Sequence, residues 1–225
     1  MEGPFGFLRL FEDAYDRKAL ITDLGKSWRI TELSHKPFPS GRATHGIIDG
    51  CLRLQRKIGF LPDQIKSIQA NVPSLIYQLV GRPVGPDMTS NYAQLCAQYV
   101  AAHALYKDGI SVDAYERANL KHTGTNDLAS RVNIRVNDNP DPNALSPVEV
   151  AIALKSGEHH KITVNDVYGS PANPMSHEAH LEKFVANCKA APSTPTTSQI
   201  NNLIEMIENL EKIDDVTAII DATMP

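Results

Sequence analysis

Cysteine is scarce and scattered in this chain: Cys51, Cys96 and Cys188 are the three thiols among 225 residues, and none belongs to a C-x-x-C pair. Such spacing supplies neither a disulfide framework nor the ligand set of an iron–sulfur or zinc cluster. An excess of one charge is missing too. The formal net charge is −4 and no run of Lys and Arg occurs, so long-range attraction to nucleic acid or to an anionic membrane is not expected. No apolar run approaches the length that spans a bilayer, and the opening MEGPFGFLRLF lacks the charged start, long apolar stretch and cleavage site of a secretory signal. A soluble, cytoplasmic protein is expected, or a mitochondrial one if a longer precursor exists. No Rossmann fingerprint, P-loop, internal repeat or low-complexity block is present.

What the chain does have is Lys36-Pro37-Phe38-Pro39-Ser40-Gly41-Arg42-Ala43-Thr44-His45. Two prolines fix φ and push Lys36 and Phe38 into extended geometry, which holds the Lys36 ammonium against a stiff turn. Ser40 reads as the N-cap of a helix whose apolar period runs from Ala43 to about Ile58. Lys36, Arg42 and free backbone N–H groups at that helix start favour an anion, so the stretch reads as a carboxylate pocket. At about 100° per residue, Ile47, Cys51, Leu54 and Ile58 share one stripe, whereas His45, Asp49 and Arg56 project from the other side. Asp49 is then placed to hydrogen-bond one ring nitrogen of His45 and leave the other free for proton transfer. A solvated polar face with a capping loop is the plainer alternative for the same residues.

With 225 residues the chain is long enough for one large domain or two small ones with a real core. Residues 5–33 read as the tail of a helix, ended by Leu24-Gly25, and a short strand around Trp28-Arg29-Ile30. Gln64 to Val80 reads as a strand, and a helix capped by Thr89 follows at about 90–107, carrying Tyr92, Leu95, Cys96, Tyr99, His103 and Tyr106 on one side until Asp108-Gly109 stops it. Short helices near 111–118 and 125–130 lead to a strand over 131–136. Strands at about 148–155 and 160–165 form a hairpin around Ser156-Gly157. Ser176 caps a helix to about Ala190, and an amphipathic helix runs from about Ser198 to Lys212 with Ile200, Leu203, Ile204, Ile207 and Leu210 on its apolar side. The pattern is α+β, a sheet-containing middle between helical ends.

Four segments in order carry a family resemblance: Glu2-Gly3-Pro4-Phe5-Gly6-Phe7, the Lys36–His45 stretch with Ile48-Asp49 behind it, Gln98-Tyr99-Val100-Ala101, and Gly169-Ser170-Pro171-Ala172-Asn173-Pro174-Met175-Ser176. The chain resembles the MmgE/PrpD family, which includes 2-methylcitrate dehydratase and cis-aconitate decarboxylase, and it is similar to only about half of a member. The resemblance implies an α/β lid domain with a small mixed sheet and packed helices over about 36–170. Residues 1–35 and 171–225 would flank it as segments of an incomplete all-α domain. It implies a cofactor-free lyase acting on a small tricarboxylate or dicarboxylate, needing neither metal nor nucleotide. The expected reaction is dehydration of 2-methylcitrate or an alkylcitrate, with this chain supplying one side of the active site.

By the same resemblance Lys36 contacts the substrate carboxylate, with Ser40, Gly41 and Arg42 completing the binding stretch, and Tyr99 donates a hydrogen bond or proton. Gly41 departs from the decarboxylase branch, which has a catalytic histidine there, and His45 is the candidate to act in its place. Removing a proton next to a carboxylate, or releasing carbon dioxide, puts charge on an enediolate-like intermediate that fixed cations stabilise. A histidine or tyrosine then moves the proton. The alternatives are decarboxylation of a cis-aconitate-like acid, or an incomplete remnant or assembly partner. Expected partners are a second copy in a homodimer or a separate helical half. As residues alone, Tyr99 and His103 on an apolar stripe read as core before catalytic, His159-His160 as solvated, and His177 and His180 as partners of Glu178 or Glu182.

Overall fold

The computed structural model describes residues 3, 5–11 and 14–223; Glu2 and Pro4 of the opening motif lie outside the described residues. The chain divides into two compact units, Met1–Leu33 and Ser34–Pro225. In the first, one short helix, α1 (Phe7–Phe11), precedes single 3₁₀ turns at Lys18–Leu20 and Arg29–Glu32. The strand expected around Trp28-Arg29-Ile30 is instead this second turn. The Thr31 N–H donates to the Trp28 carbonyl at 3.1 Å and Arg29 pairs with Glu32 at 2.9 Å, which closes the backbone on itself. Gly25, at φ +75°, lies in a run of turns, not at a helix end.

The second unit is a mixed four-stranded sheet with helices, the α/β architecture expected for the middle of the chain. Its elements begin with α2 (His45–Ile58), β1 (Ile65–Val72), α3 (Ser74–Val80), α4 (Ser90–Gln94), α5 (Ala97–Lys107), α6 (Arg117–Leu120) and α7 (Thr123–Ser130). They continue with β2 (Val132–Val136), β3 (Val148–Leu154), β4 (His159–Val164), α8 (His177–Lys189), α9 (Thr197–Glu208) and α10 (Thr217–Thr223). Strand order is β2-β1-β3-β4. β1 runs parallel to β2, with Ile68 beside Val132, and antiparallel to β3, with Ile68 beside Ile152; β3 and β4 form the hairpin. Among the described residues no helix is long and apolar enough to cross a membrane.

The run expected as one strand over Gln64–Val80 changes state at Pro73. A proline has no N–H for the ladder but suits a helix start, so β1 ends at Val72 and α3 begins at Ser74. The single helix expected over 90–107 is two, α4 and α5. The Gly41 N–H donates to the Gln94 carbonyl at 2.9 Å, taking the acceptor that an unbroken helix would offer to Gln98, while Gly81 bridges to Cys96. Thr89 caps α4 and Ser176 caps α8 as expected. The last long helix starts after Thr196, whose side chain and that of Gln199 cap each other's N–H, and it stops at Glu208.

α2 is central, not peripheral. Ile47, Cys51 and Leu54 pack with Ile68, Val150 and Ile152 of the sheet in one core cluster, while Ile48 and Leu52 join Phe38, Cys96, Tyr99 and Val100 in a second. The same sheet-facing side of α2 carries Gly46 and Gly50. A Cβ at Gly46 would lie 2.8 Å from Val148 Cγ2, and one at Gly50 would lie 2.7 Å from Val150 Cγ2. One turn apart, the two glycines let the helix backbone lie directly on β3. Burial costs little for the apolar residues of α2; for His45 and Asp49 it sets their chemistry.

Candidate active site

The proline turn is anchored from the far end of the fold. The His35 N–H donates to the Gly169 carbonyl at 2.8 Å, and Gly169 sits at φ +88°. A Cβ there would collide with the His35 carbonyl and lie 2.9 Å from Pro37 Cδ, so glycine is required where the Gly169–Ser176 segment meets the turn. The Gly169 N–H in turn donates to the Asn173 carbonyl at 2.8 Å. Two motifs far apart in sequence therefore form one joint.

Beyond the joint the backbone tightens. Lys36 is exposed, yet its ammonium reaches back to the Ser40 carbonyl at 3.4 Å. Ser40 is buried and its hydroxyl lies 2.8 Å from that of Thr44, which donates to the Gly41 carbonyl. The expectation that Ser40 caps the helix is thus corrected. A 3₁₀ turn, Arg42–Thr44, intervenes, and α2 starts after Thr44 without a side-chain cap. Arg42 is partly buried, and loss of water holds its guanidinium below its ordinary pKa. Among the described residues no carboxylate lies within ion-pair distance of Lys36 or Arg42.

His45 is the second correction. Its expected projection from a polar face gives way to complete burial, 0% exposed, with the ring edge-on to Phe38 at 5.4 Å. Among the described residues neither ring nitrogen has a hydrogen-bond partner within bonding geometry. Burial first, then the charges of Arg42 and Lys36, push its pKa down to about 4, against the opposing pull of the Ser40 and Phe38 carbonyls. Both cations therefore act on one neutral imidazole. The expected Asp49–His45 pair is not formed. Asp49 is itself 8% exposed, its Oδ2 has no hydrogen bond, and its nearest cation is Arg53 at 3.7 Å. Burial raises the Asp49 carboxyl, opposed by Arg53 and by the Tyr168 backbone.

The Tyr99 hydroxyl is engaged within the core. Tyr99 is fully buried in the cluster that contains Phe38, its hydroxyl donates to the Ala114 carbonyl at 2.6 Å, and burial pushes the phenol up to about 12. His103 packs beside it at 5.8 Å between ring centroids, buried and lowered from its ordinary pKa by desolvation. His160 meets Glu158 at 3.1 Å, as a solvated hairpin end should. His177 pairs with Glu208 of α9, not with Glu178 or Glu182, and His180 stacks edge-on against His35 at 4.7 Å. Residue-by-residue reading missed Phe38 as the wall of the imidazole and Gly169 as the anchor of the turn. Phe38 was visible as an apolar residue locked between two prolines, and Gly169 as a glycine before Ser-Pro.

The assembled corner offers two cations with no acidic partner among the described residues, a desolvated neutral imidazole, and a stiff backbone holding them. A model of the MmgE/PrpD C-terminal domain matches residues 38–212, which begins at this corner and spans the sheet. The chain belongs to the MmgE/PrpD family. Within it, the chain is 27% identical to human cis-aconitate decarboxylase over 97% of its own length and 45% of that protein's. The mouse cis-aconitate decarboxylase is 26% identical over 84% of the chain, and a cis-aconitate decarboxylase-like protein of Aspergillus oryzae is 22% identical over 97%. The chain thus spans a little under half the length of the curated relatives it matches.

Proposed function

We propose that this chain supplies one wall of the active site of a cofactor-free lyase, and that the reaction is dehydration of a citrate-like acid such as 2-methylcitrate or an alkylcitrate. One observation carries the reading: Lys36 and Arg42, without a carboxylate partner among the described residues, both bear on the buried, unpartnered imidazole of His45. In dehydration the C–H bond beside a carboxylate breaks, its electron pair forms the new double bond, and the hydroxyl on the neighbouring carbon leaves with a proton as water. Charge collects on the carboxylate as the C–H bond breaks, and Lys36 and Arg42 are preorganised to stabilise it. Ser40, Gly41 and Arg42 border the seat of the acid. His45 starts neutral, with one nitrogen able to accept a proton, and a bound polycarboxylate cancels the two positive charges that hold its pKa down. Tyr99 supports the wall through Phe38's cluster and the Ala114 carbonyl.

The second reading is decarboxylation of a cis-aconitate-like acid, in which the C–C bond to a carboxylate breaks, carbon dioxide leaves and the resulting carbanion takes a proton. The activity for which the relatives are named favours it; Gly41, which offers no side chain to deliver that proton, favours dehydration. In either case we place residues 36–170 as a lid domain and 171–225 with an all-helical region that forms the facing wall. That region belongs to the same protein, to a second copy or to a separate helical chain; a catalytically incomplete assembly partner is the remaining possibility. The test is to incubate the chain, alone and with such a helical region, with 2-methylcitrate and with cis-aconitate. Double-bond absorbance that grows from 2-methylcitrate and is abolished by Lys36→Ala supports dehydration. Carbon dioxide released from cis-aconitate selects the second reading. Absence of turnover and of acid binding in every combination overturns both.

A further inference from the structure

The space beside the two cations is not empty. Gly41 has no side chain, but a Cβ built on it would lie 2.7 Å from Leu95 Cδ2, 3.5 Å from Val80 Cγ1 and 3.6 Å from the Gln94 carbonyl. Leu95 therefore stands where a residue-41 side chain would begin. Its place is fixed by the break between α4 and α5: the Gly41 N–H holds the Gln94 carbonyl, Cys96 bridges to Gly81, and Leu95 between them takes a turn conformation at φ −110°, ψ 11°. Val80 beneath is 1% exposed, whereas Leu95 remains 37% exposed. A large hydrocarbon is thus held partly in water, directly over the backbone between Ser40 and Arg42.

We propose that Leu95 is a specificity-determining residue of the acid corner, presenting an apolar wall to whatever group is attached beside the anchored carboxylate. The inference rests on the reading that Lys36 and Arg42 hold a carboxylate. A polycarboxylic acid with a methyl or short alkyl branch next to that carboxylate covers the Leu95 methyls and removes apolar surface from water. An acid with a hydroxyl or a further carboxylate at that point loses water there without gaining a partner. One methyl group against such a wall corresponds to a preference of about four- to tenfold.

Titration calorimetry of the 225-residue chain with tricarballylate and with its α-methyl homologue tests this. The wild type should bind the methyl acid about four- to tenfold tighter. Leu95→Ala should bring the two within about twofold while leaving tricarballylate affinity unchanged. Gly41→Ala, which forces the Leu95 tip aside, should also narrow the gap, and Arg42→Gln should weaken both acids together. A direct readout is the Leu95 methyl carbon resonance, assigned by its loss in Leu95→Ala, which should shift further with the methyl acid. Equal binding of the two acids, or a preference that survives Leu95→Ala, overturns this inference and leaves the carboxylate reading standing. If neither acid binds the wild type, alone or with the helical region, the carboxylate reading falls and this inference with it.

Discussion

Replacing His45 with leucine should make the protein more stable and its acid corner worse. Both ring nitrogens are buried without partners, and an unsatisfied buried polar group costs about 1–3 kcal/mol. Leucine removes that cost but forfeits the edge-on contact with Phe38, 5.4 Å away, which is worth about 0.5–1.5 kcal/mol. The net expectation is a gain of about 1 kcal/mol at pH 7. Acid widens the gap. In the unfolded chain the imidazole titrates near its ordinary value of about 6.5, whereas in the folded chain it is pushed down to about 4. Between these values the unfolded state holds a proton that the native state does not, so wild-type stability falls as pH drops through this window and levels off below it. From pH 7 to pH 5 the loss is about 2 kcal/mol. Asp49 works in the opposite direction, since its carboxyl is raised in the native state, but it does so in both proteins and cancels in the difference. Urea unfolding followed by circular dichroism should therefore place His45→Leu about 1 kcal/mol above wild type at pH 7 and about 3 kcal/mol above at pH 5. A variant that loses about 2 kcal/mol at pH 7, or one whose advantage does not grow in acid, would refute the claim that this imidazole is buried, unpartnered and neutral.

Other substitutions probe the joint and the packing. Gly169→Ala puts a Cβ against the His35 carbonyl at a positive φ; a loss of about 2–4 kcal/mol in chemical unfolding is expected, together with weaker tricarballylate binding as the proline turn shifts. Gly50→Ala drives a methyl to 2.7 Å from Val150 Cγ2 and should cost about 1–3 kcal/mol with acid affinity kept, read by thermal melting and calorimetry. Tyr99→Phe leaves the Ala114 carbonyl unpaired in the core, so a loss of about 1–2 kcal/mol is expected without a change in acid affinity. A Tyr99→Phe chain with wild-type stability and lost turnover would instead return the tyrosine to the chemistry.

Much of the scaffold was legible because its signals are local. The strand expected at about 148–155 is β3, buried at every second residue, and Ser176 and Thr89 cap their helices as their side chains dictate. The elements that escaped depend on distant partners. Nothing in the 90–107 segment announces a break at Leu95, because its cause is the amide of Gly41. Helical periodicity placed His45 and Asp49 correctly, on a different side from Ile47, Cys51 and Leu54. It could not reveal that this side is buried as well, with His45 against Phe38. The Gly46–Gly50 spacing was the available sign that this helix lies against another element. The gathering of Lys36 and Arg42 around one histidine was readable from the proline-braced stretch, whereas the geometry that leaves that histidine neutral was not.

The central claim is that the cations at the proline turn hold an acid against a neutral imidazole, and the His45 ring reports on it directly. With the ring carbons of the eight histidines observed by heteronuclear NMR, and His45 assigned by its loss in His45→Leu, pH titration should place it near 4 in the free chain. Saturating tricarballylate should shift its resonance and move that midpoint upward, by neutralising Arg42 and Lys36. A His45 that titrates near its ordinary value, or one whose resonance and midpoint ignore the acid, would contradict the account.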